Sequence, residues 1–132
     1  DQLFLEVKIS TSIGDIIVEL DRNRAPITVN NFLKYVKKGA YNNTIIHRIE
    51  KNFVVQGGGY NKEYDAIEDC GNIFNESGNG LKNTKGTIAM ARYEDPHSAT
   101  SQFYFNLNEN TPKLPQMRGP FSDHSAARSR CE

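Results

Sequence analysis

A chain of 132 residues has room for one domain around one modest hydrophobic core. Its 16 lysines and arginines balance 16 aspartates and glutamates, so no summed positive field favours nucleic acid or an anionic membrane, and a neutral or mixed partner is expected. No apolar run approaches the roughly 20 residues that cross a bilayer, and Cys70 and Cys131, like His47, His97 and His124, lie too far apart for metal-ligand spacing. A soluble chain with two free thiols and no metal or cofactor is the expectation. The chain begins at Asp1 without a methionine, which fits a removed leader or an excised domain. Between cytoplasm and periplasm the compartment stays open, with the periplasm favoured.

Leu3, Leu5, Val7 and Ile9 alternate with Phe4, Glu6, Lys8 and Ser10, and after Gly14 the run from Asp15 to Leu20 is again β-rich. The two runs read as a hairpin. Pro26 suits a first helical turn, and Val29, Phe32, Leu33 and Val36 follow at i, i+3, i+4 and i+7, which predicts an amphipathic helix from Pro26 to Lys38, stopped by Gly39. The Lys37-Lys38 pair belongs to its solvated face. Thr44 to Ile49 and Phe53 to Gln56 read as strands separated by a turn at Lys51-Asn52, the second ended by Gly57-Gly58-Gly59. From Tyr60 to Lys85 the sequence is polar, with many Asn and Gly residues, and predicts a long surface loop. Gly86 to Ala91 and Gln102 to Leu107 supply two further strands, and no internal repeat occurs.

Past about Asn108 the character changes. Residues 112–132 are rich in proline, serine and cationic side chains and have no regular period. Lys113, Arg118, Arg128 and Arg130 against Asp123 and Glu132 do not make a nucleic-acid arm. A folded unit over residues 1–110 and an irregular, disordered tail over 111–132 are therefore expected.

Two blocks carry a resemblance. Tyr41-Asn42-Asn43-Thr44-Ile45-Ile46-His47-Arg48-Ile49, followed by Asn52-Phe53-Val54-Val55-Gln56-Gly57-Gly58-Gly59, resembles the cyclophilin signature, which usually reads YNNTxFHRVIxGFMIQGG. Gly80 to Arg92 and then Ser98-Ala99-Thr100-Ser101-Gln102-Phe103 resemble the bacterial branch of the same family, in family order. With the hairpin and helix, the likeness runs from Val7 to about Asn108. It implies a mainly β fold with one or two helices, an antiparallel β-barrel that is incomplete at the C-terminus, because the family's usual later strands and second helix find no match in the tail. It also implies a peptidyl-prolyl cis/trans isomerase that assists protein folding by turning X-Pro bonds in proline-containing polypeptides. Neither nucleic acid nor membrane is a partner in this reading, and cyclosporin-like ligands enter as candidate occupants of the groove.

Residue by residue, the resemblance assigns Arg48, Phe53 and Gln56 to catalysis and Val54, Ala91, Arg92, Gln102 and Tyr104 to substrate binding. Strand alternation is compatible with this, since it puts Thr44, Ile46 and Arg48 on one face with His47 on the other, and pairs Val54 with Gln56 and Gln102 with Tyr104. Phe103, Phe105 and Leu107 then point into a core. Isomerisation means losing amide resonance across a barrier of about 18–20 kcal/mol, and no nucleophile or cofactor is required. As the bond twists, the proline nitrogen recovers a lone pair, so a donor aimed at it stabilises the transition state more than the planar ground state. The guanidinium of Arg48 suits that task, Phe53, Val54 and Tyr104 match apolar positions for the proline ring, Gln56 and Gln102 match carbonyl-orienting positions, and Ala91 matches a sheet edge that pairs with extended substrate.

Two departures stand out. Tyr104 replaces the customary phenylalanine and Val54 the customary methionine. Competing motifs are weaker: the three glycines have no Gly-Lys-Ser/Thr after them, Ser98 and Ser101 near His97 lack a nucleophile elbow, and the sequons at Asn42 and Asn75 matter only on a eukaryotic secretory route. His47 is expected to be a packed, hydrogen-bonded histidine. The second functional reading is a truncated cyclophilin of weak or no turnover that acts as a proline-peptide-binding chaperone module.

Overall fold

The computed structural model describes residues 3–111, which form two strands, one helix and then four strands. Strands β1 (Phe4–Thr11) and β2 (Gly14–Asp21) make the expected antiparallel hairpin, with Val7 opposite Val18. Its turn is closed by the Thr11 hydroxyl, which donates to the Gly14 carbonyl at 2.6 Å and accepts from the Ile13 amide at 3.3 Å. The period-two pattern sends Leu5, Val7, Ile9, Val18 and Leu20 to the core and leaves Glu6 and Lys8 in water.

Helix α1 runs over Pro26–Lys37 and buries Thr28, Val29, Asn31, Phe32 and Tyr35. Ala25 at its N-cap offers no side-chain acceptor. The acceptor comes instead from Glu76, far along the chain, which takes hydrogen bonds from the Ile27 amide (3.4 Å), the Thr28 amide (3.3 Å) and the Thr28 hydroxyl (2.8 Å). A carboxylate there satisfies orphan amides and meets the positive end of the helix dipole. At the other end Gly39 takes φ 73°, and its amide donates to the Val36 carbonyl at 3.1 Å, a left-handed termination that glycine adopts without a Cβ clash.

Strands β3 (Thr44–Glu50), β4 (Val54–Asn61), β5 (Ile88–Met90) and β6 (Phe103–Asn106) form one antiparallel sheet in the order β3-β4-β6-β5. The β3–β4 turn places Asn52 at φ 60°, where the family signature has glycine and where asparagine is the best-tolerated substitute. The glycines at 57–59 do not end β4, as the sequence suggested; the strand passes through them. A Cβ on Gly58, whose φ is 85°, would sit 2.7 Å from the Phe103 ring, and one on Gly59 would sit 2.5 Å from the Gln102 side chain. The three residues are thus a strand in which neighbouring side chains cross close to the backbone.

One face of this sheet joins the hairpin and α1 in the main core, where Val18, Leu20, Val29, Phe32, Ile88, Met90 and Phe103 meet. The opposite face holds a small second cluster of Val54, Ala89 and Tyr104, with Phe53 and Ala91 against it. Phe105 packs on the main core as expected, but Leu107 lies beyond the end of β6 and is 37 % exposed.

The long loop predicted from Tyr60 to Lys85 is irregular past Asn61 and largely at the surface, as expected, but it is pinned to the core at a few points. Within it Cys70, Ile73 and Asn83 are buried, and Ile73 bridges to Ala99. Asn83, Asn106 and Asn110 form a buried amide network in which Asn106 Nδ2 donates to Asn83 Oδ1 (3.1 Å) and Asn110 Nδ2 to Asn106 Oδ1 (2.9 Å). Several of its polar side chains stand in for backbone pairing, as where Asn61, Asn75 and Asn79 accept hydrogen bonds from nearby amides. Cys70 is likewise no free thiol: it is disulfide-bonded, and Cys131 lies outside the described residues.

The expected class, mainly β with helical cover, is the observed one, with one helix among the described residues. There the two sheets do not close into a continuous barrel. No helix among these residues is long and apolar enough to cross a membrane. Of the tail expected over 111–132, only Thr111 is described.

Candidate functional site

The site grows from one row of residues across the large sheet. Arg48 on β3 stands opposite Gln56 on β4, Gln56 opposite Tyr104 on β6, and Tyr104 opposite Ala89 on β5. Irregular pairing on either side of Ile46 shifts the β3 register just before Arg48, so simple counting along β3 does not by itself fix this partner. Arg48 Nη1 donates to Gln56 Oε1 at 3.1 Å, and Gln56 Nε2 donates to Gln102 Oε1 at 2.8 Å. The Arg48 guanidinium carbon lies 5.9 Å from the centre of the Phe53 ring, within cation–π range. A half-exposed cation, an amide relay and an aromatic edge thus share one surface.

Each candidate residue from the sequence has a definite place. Phe53 is half-buried in the turn just before β4, its carbonyl held by the Leu107 amide (2.8 Å) and by Asn110 Nδ2 (2.7 Å). Val54 and Tyr104 are 2 % and 1 % exposed, so they form the floor beneath the surface and do not line an open groove. The Tyr104 hydroxyl points down to Asn83 Oδ1 at 3.2 Å, and burial raises its pKa well above that of an ordinary tyrosine. Its extra oxygen, relative to the customary phenylalanine, therefore belongs to the amide network. Ala91 donates its amide to the Gln102 carbonyl at 2.9 Å. Beside it, Arg92 Nη1 holds the Tyr93 and Glu94 carbonyls at 2.9 and 3.1 Å, which fixes the following loop.

A small hollow lined by Gln56, Ala91, Arg92, Ser98, Thr100 and Gln102 adjoins the relay. A larger one of about 280 Å³ continues past Gln102 toward Gly59, Tyr60 and Asp69. Gln102 borders both. His47 packs edge-on against Tyr60 with ring centres 4.9 Å apart, and its Nδ1 is buried with no hydrogen-bond partner. The packing matches the expectation for this residue; a hydrogen bond at Nδ1 does not form. Burial, and then the neighbouring Arg48, lower its pKa below the usual histidine value. Among the described residues no group of three or more His, Cys, Asp or Glu side chains is placed to hold a metal. His97 accepts a hydrogen bond from the Asn75 amide at 2.9 Å, and the Ser98 hydroxyl donates to the Asp95 carbonyl at 2.7 Å, so the His97 and Ser98 contacts are loop-forming.

Comparison with known proteins decides the family. The family model described as "Cyclophilin type peptidyl-prolyl cis-trans isomerase/CLD" matches residues 6–122. The chain belongs to this family. The match runs past Asn108, beyond the end of the motif likeness. Among curated proteins, the chain is 48 % identical over 104 residues to a peptidyl-prolyl cis-trans isomerase of Acinetobacter baylyi, covering 79 % of this chain and 55 % of that one. It is also 48 % identical to peptidyl-prolyl cis-trans isomerase B of Escherichia coli, covering 79 % and 63 %. The chain thus spans less than two thirds of the length of these relatives. Among solved structures, a Cryptosporidium parvum cyclophilin superposes with a TM-score of 0.71 at 28 % identity, covering 94 % of this chain and 77 % of that one. The same cyclophilin was also solved in the presence of the dipeptide Ala-Pro, with a TM-score of 0.71 to this chain.

Within this cyclophilin-family domain, sequence reading overlooked the residues that support the site. Glu50 pairs with Arg48 at 3.2 Å. The Tyr41 hydroxyl donates to the Ser101 carbonyl at 2.7 Å and the Ser101 hydroxyl to the Gly58 carbonyl at 2.8 Å, which locks the segment before Gln102 onto β4. For Glu50 a signal was present, since two residues apart on a strand share a face. For Asn83 and Asn110 there was none, because asparagine in a polar stretch reads as loop.

Proposed function

We propose that the chain catalyses cis/trans isomerisation of X-Pro bonds in polypeptide substrates. The observation that carries this reading is the Arg48–Gln56–Gln102 relay beside Phe53, at 3.1 and 2.8 Å. In this mechanism the proline ring rests against Phe53 above the Val54–Tyr104 floor, while Gln56 and Gln102 orient the preceding backbone. Holding the ring while the other side of the bond rotates converts binding into orientation. A free N–H of Arg48 donates to the proline nitrogen as its lone pair develops, an interaction that is weak in the planar ground state. No covalent bond is made or broken, so donors and apolar contacts on this chain suffice for the chemistry. The Ala-Pro dipeptide present with the Cryptosporidium parvum relative supports proline-containing peptides as the partner class.

The test is a proline-isomerisation assay on the purified chain beside Arg48→Ala and Arg48→Lys. The alanine variant is expected to lose about 10²–10³-fold in kcat/KM, the scale for removing one preorganised donor. Lysine should recover little of it, because a point charge lacks the planar fork. Equal rates for the parent and Arg48→Ala, both at the uncatalysed value, would overturn the proposal. Peptide binding without turnover would leave the binding-module reading in its place.

A further inference from the structure

The contacts of Arg48 divide its guanidinium into engaged and open donors. A guanidinium carries five N–H groups in a rigid plane. One on Nη1 goes to Gln56 Oε1 at 3.1 Å, while Nε and one on Nη2 both go to Glu50 Oε2, at 3.4 and 3.2 Å. Two N–H groups remain, one on each terminal nitrogen. That matches what the proposed reaction needs, one donor for a substrate carbonyl and one for the proline nitrogen.

Glu50 sits two residues beyond Arg48 on β3, on the same face. The side chains of the pair are 44 % and 53 % exposed, so an ion pair between them adds little to folding stability. Its effect is on geometry. With Gln56 alone, one contact at Nη1 would leave the guanidinium plane free to turn about that point. With Glu50 holding the Nε–Nη2 edge, two separated anchors fix the plane beside Phe53. In the family signature quoted above, the position of Glu50 is an isoleucine, which accepts no hydrogen bond.

We propose that Glu50 is a positioning residue that holds the Nε–Nη2 edge of Arg48 and turns its two open donors toward the bound X-Pro segment. The proposal rests on the isomerase reading, and two readouts separate them. In the isomerisation assay Glu50→Ala lowers kcat by about 2- to 5-fold with a smaller change in KM, as expected for losing an exposed pair that acts only through orientation. Glu50→Gln, which keeps an acceptor, restores at least half of the loss. Independently of turnover, proton–nitrogen NMR of the Arg48 Nε–H, assigned by its disappearance in Arg48→Lys, shows slow solvent exchange in the parent and in Glu50→Gln and fast exchange in Glu50→Ala. An unchanged or higher kcat in Glu50→Ala overturns the proposal. So does a rise in KM at constant kcat, or the same Nε–H exchange in all three proteins. If the parent has no turnover, the isomerase reading fails on its own, and the exchange comparison alone decides whether Glu50 holds Arg48.

Discussion

Gly59 offers a way to perturb the site without substituting any of the residues assigned to catalysis or substrate binding. An alanine Cβ there would lie 2.5 Å from Gln102 Cγ and 2.6 Å from both Cδ and Nε2. Ordinary contacts begin near 3.4 Å, so the side chain must retreat by roughly 1 Å, a shift large enough to affect an aligned reaction. Gln102 is a flexible side chain, and Gly59 has no left-handed φ, so backbone strain adds nothing. The loss centres on the 2.8 Å bond from Gln56 Nε2 to Gln102 Oε1, worth about 1 kcal/mol for a neutral pair. Part of that is offset in stability by the lower chain entropy of alanine when unfolded. Gly59→Ala should therefore unfold within about 1 kcal/mol of the parent in urea yet lose about 5-fold in kcat/KM. The decisive comparison is a cycle with Gln102→Ala: if Gly59→Ala acts through Gln102, it should have no further effect once that side chain is gone. The same 5-fold loss in both backgrounds would refute the reasoning, as would an undiminished rate in Gly59→Ala alone.

Glu76→Ala removes the acceptor for two helix amides and the Thr28 hydroxyl. It should cost about 1–2 kcal/mol in urea unfolding, with Glu76→Gln losing less, and an unchanged midpoint would exclude the capping role. The lowered pKa of His47 means that the unfolded chain binds this proton more readily. Stability should therefore rise with pH from the folded pKa up to about 6.5 and be lost as pH falls below that value. Urea midpoints at about pH 7.5 and 5.5 should differ less in His47→Gln than in the parent; an equal difference would assign the pH dependence to other groups.

Sequence carried the local elements well because each rests on short-range chemistry. The hairpin follows from alternation of Leu5, Val7 and Ile9, and α1 from Pro26, the Val29–Phe32 stripe and Gly39. Arg48, Phe53, Gln56 and Gln102 were legible as candidates because they sit in a long motif, and the motif also supplied the family. Glu76 at the helix terminus, Asn83 beneath Tyr104 and Gln102 beside Gly59 were not, because each meets its partner across tens of residues of chain, and no local pattern encodes such a distance. The glycines at 57–59 show the same limit: composition marks them as a turn, while the approach of Ile46, Phe103 and Gln102 makes them a strand. By itself the sequence, through its likeness to the cyclophilin signature, singled out Arg48 as the candidate donor to an X-Pro bond. Only the tertiary structure decided how the donors of Arg48 are shared, because the register shift in β3 sets Gln56 opposite it and strand pleating brings Glu50 to its other edge.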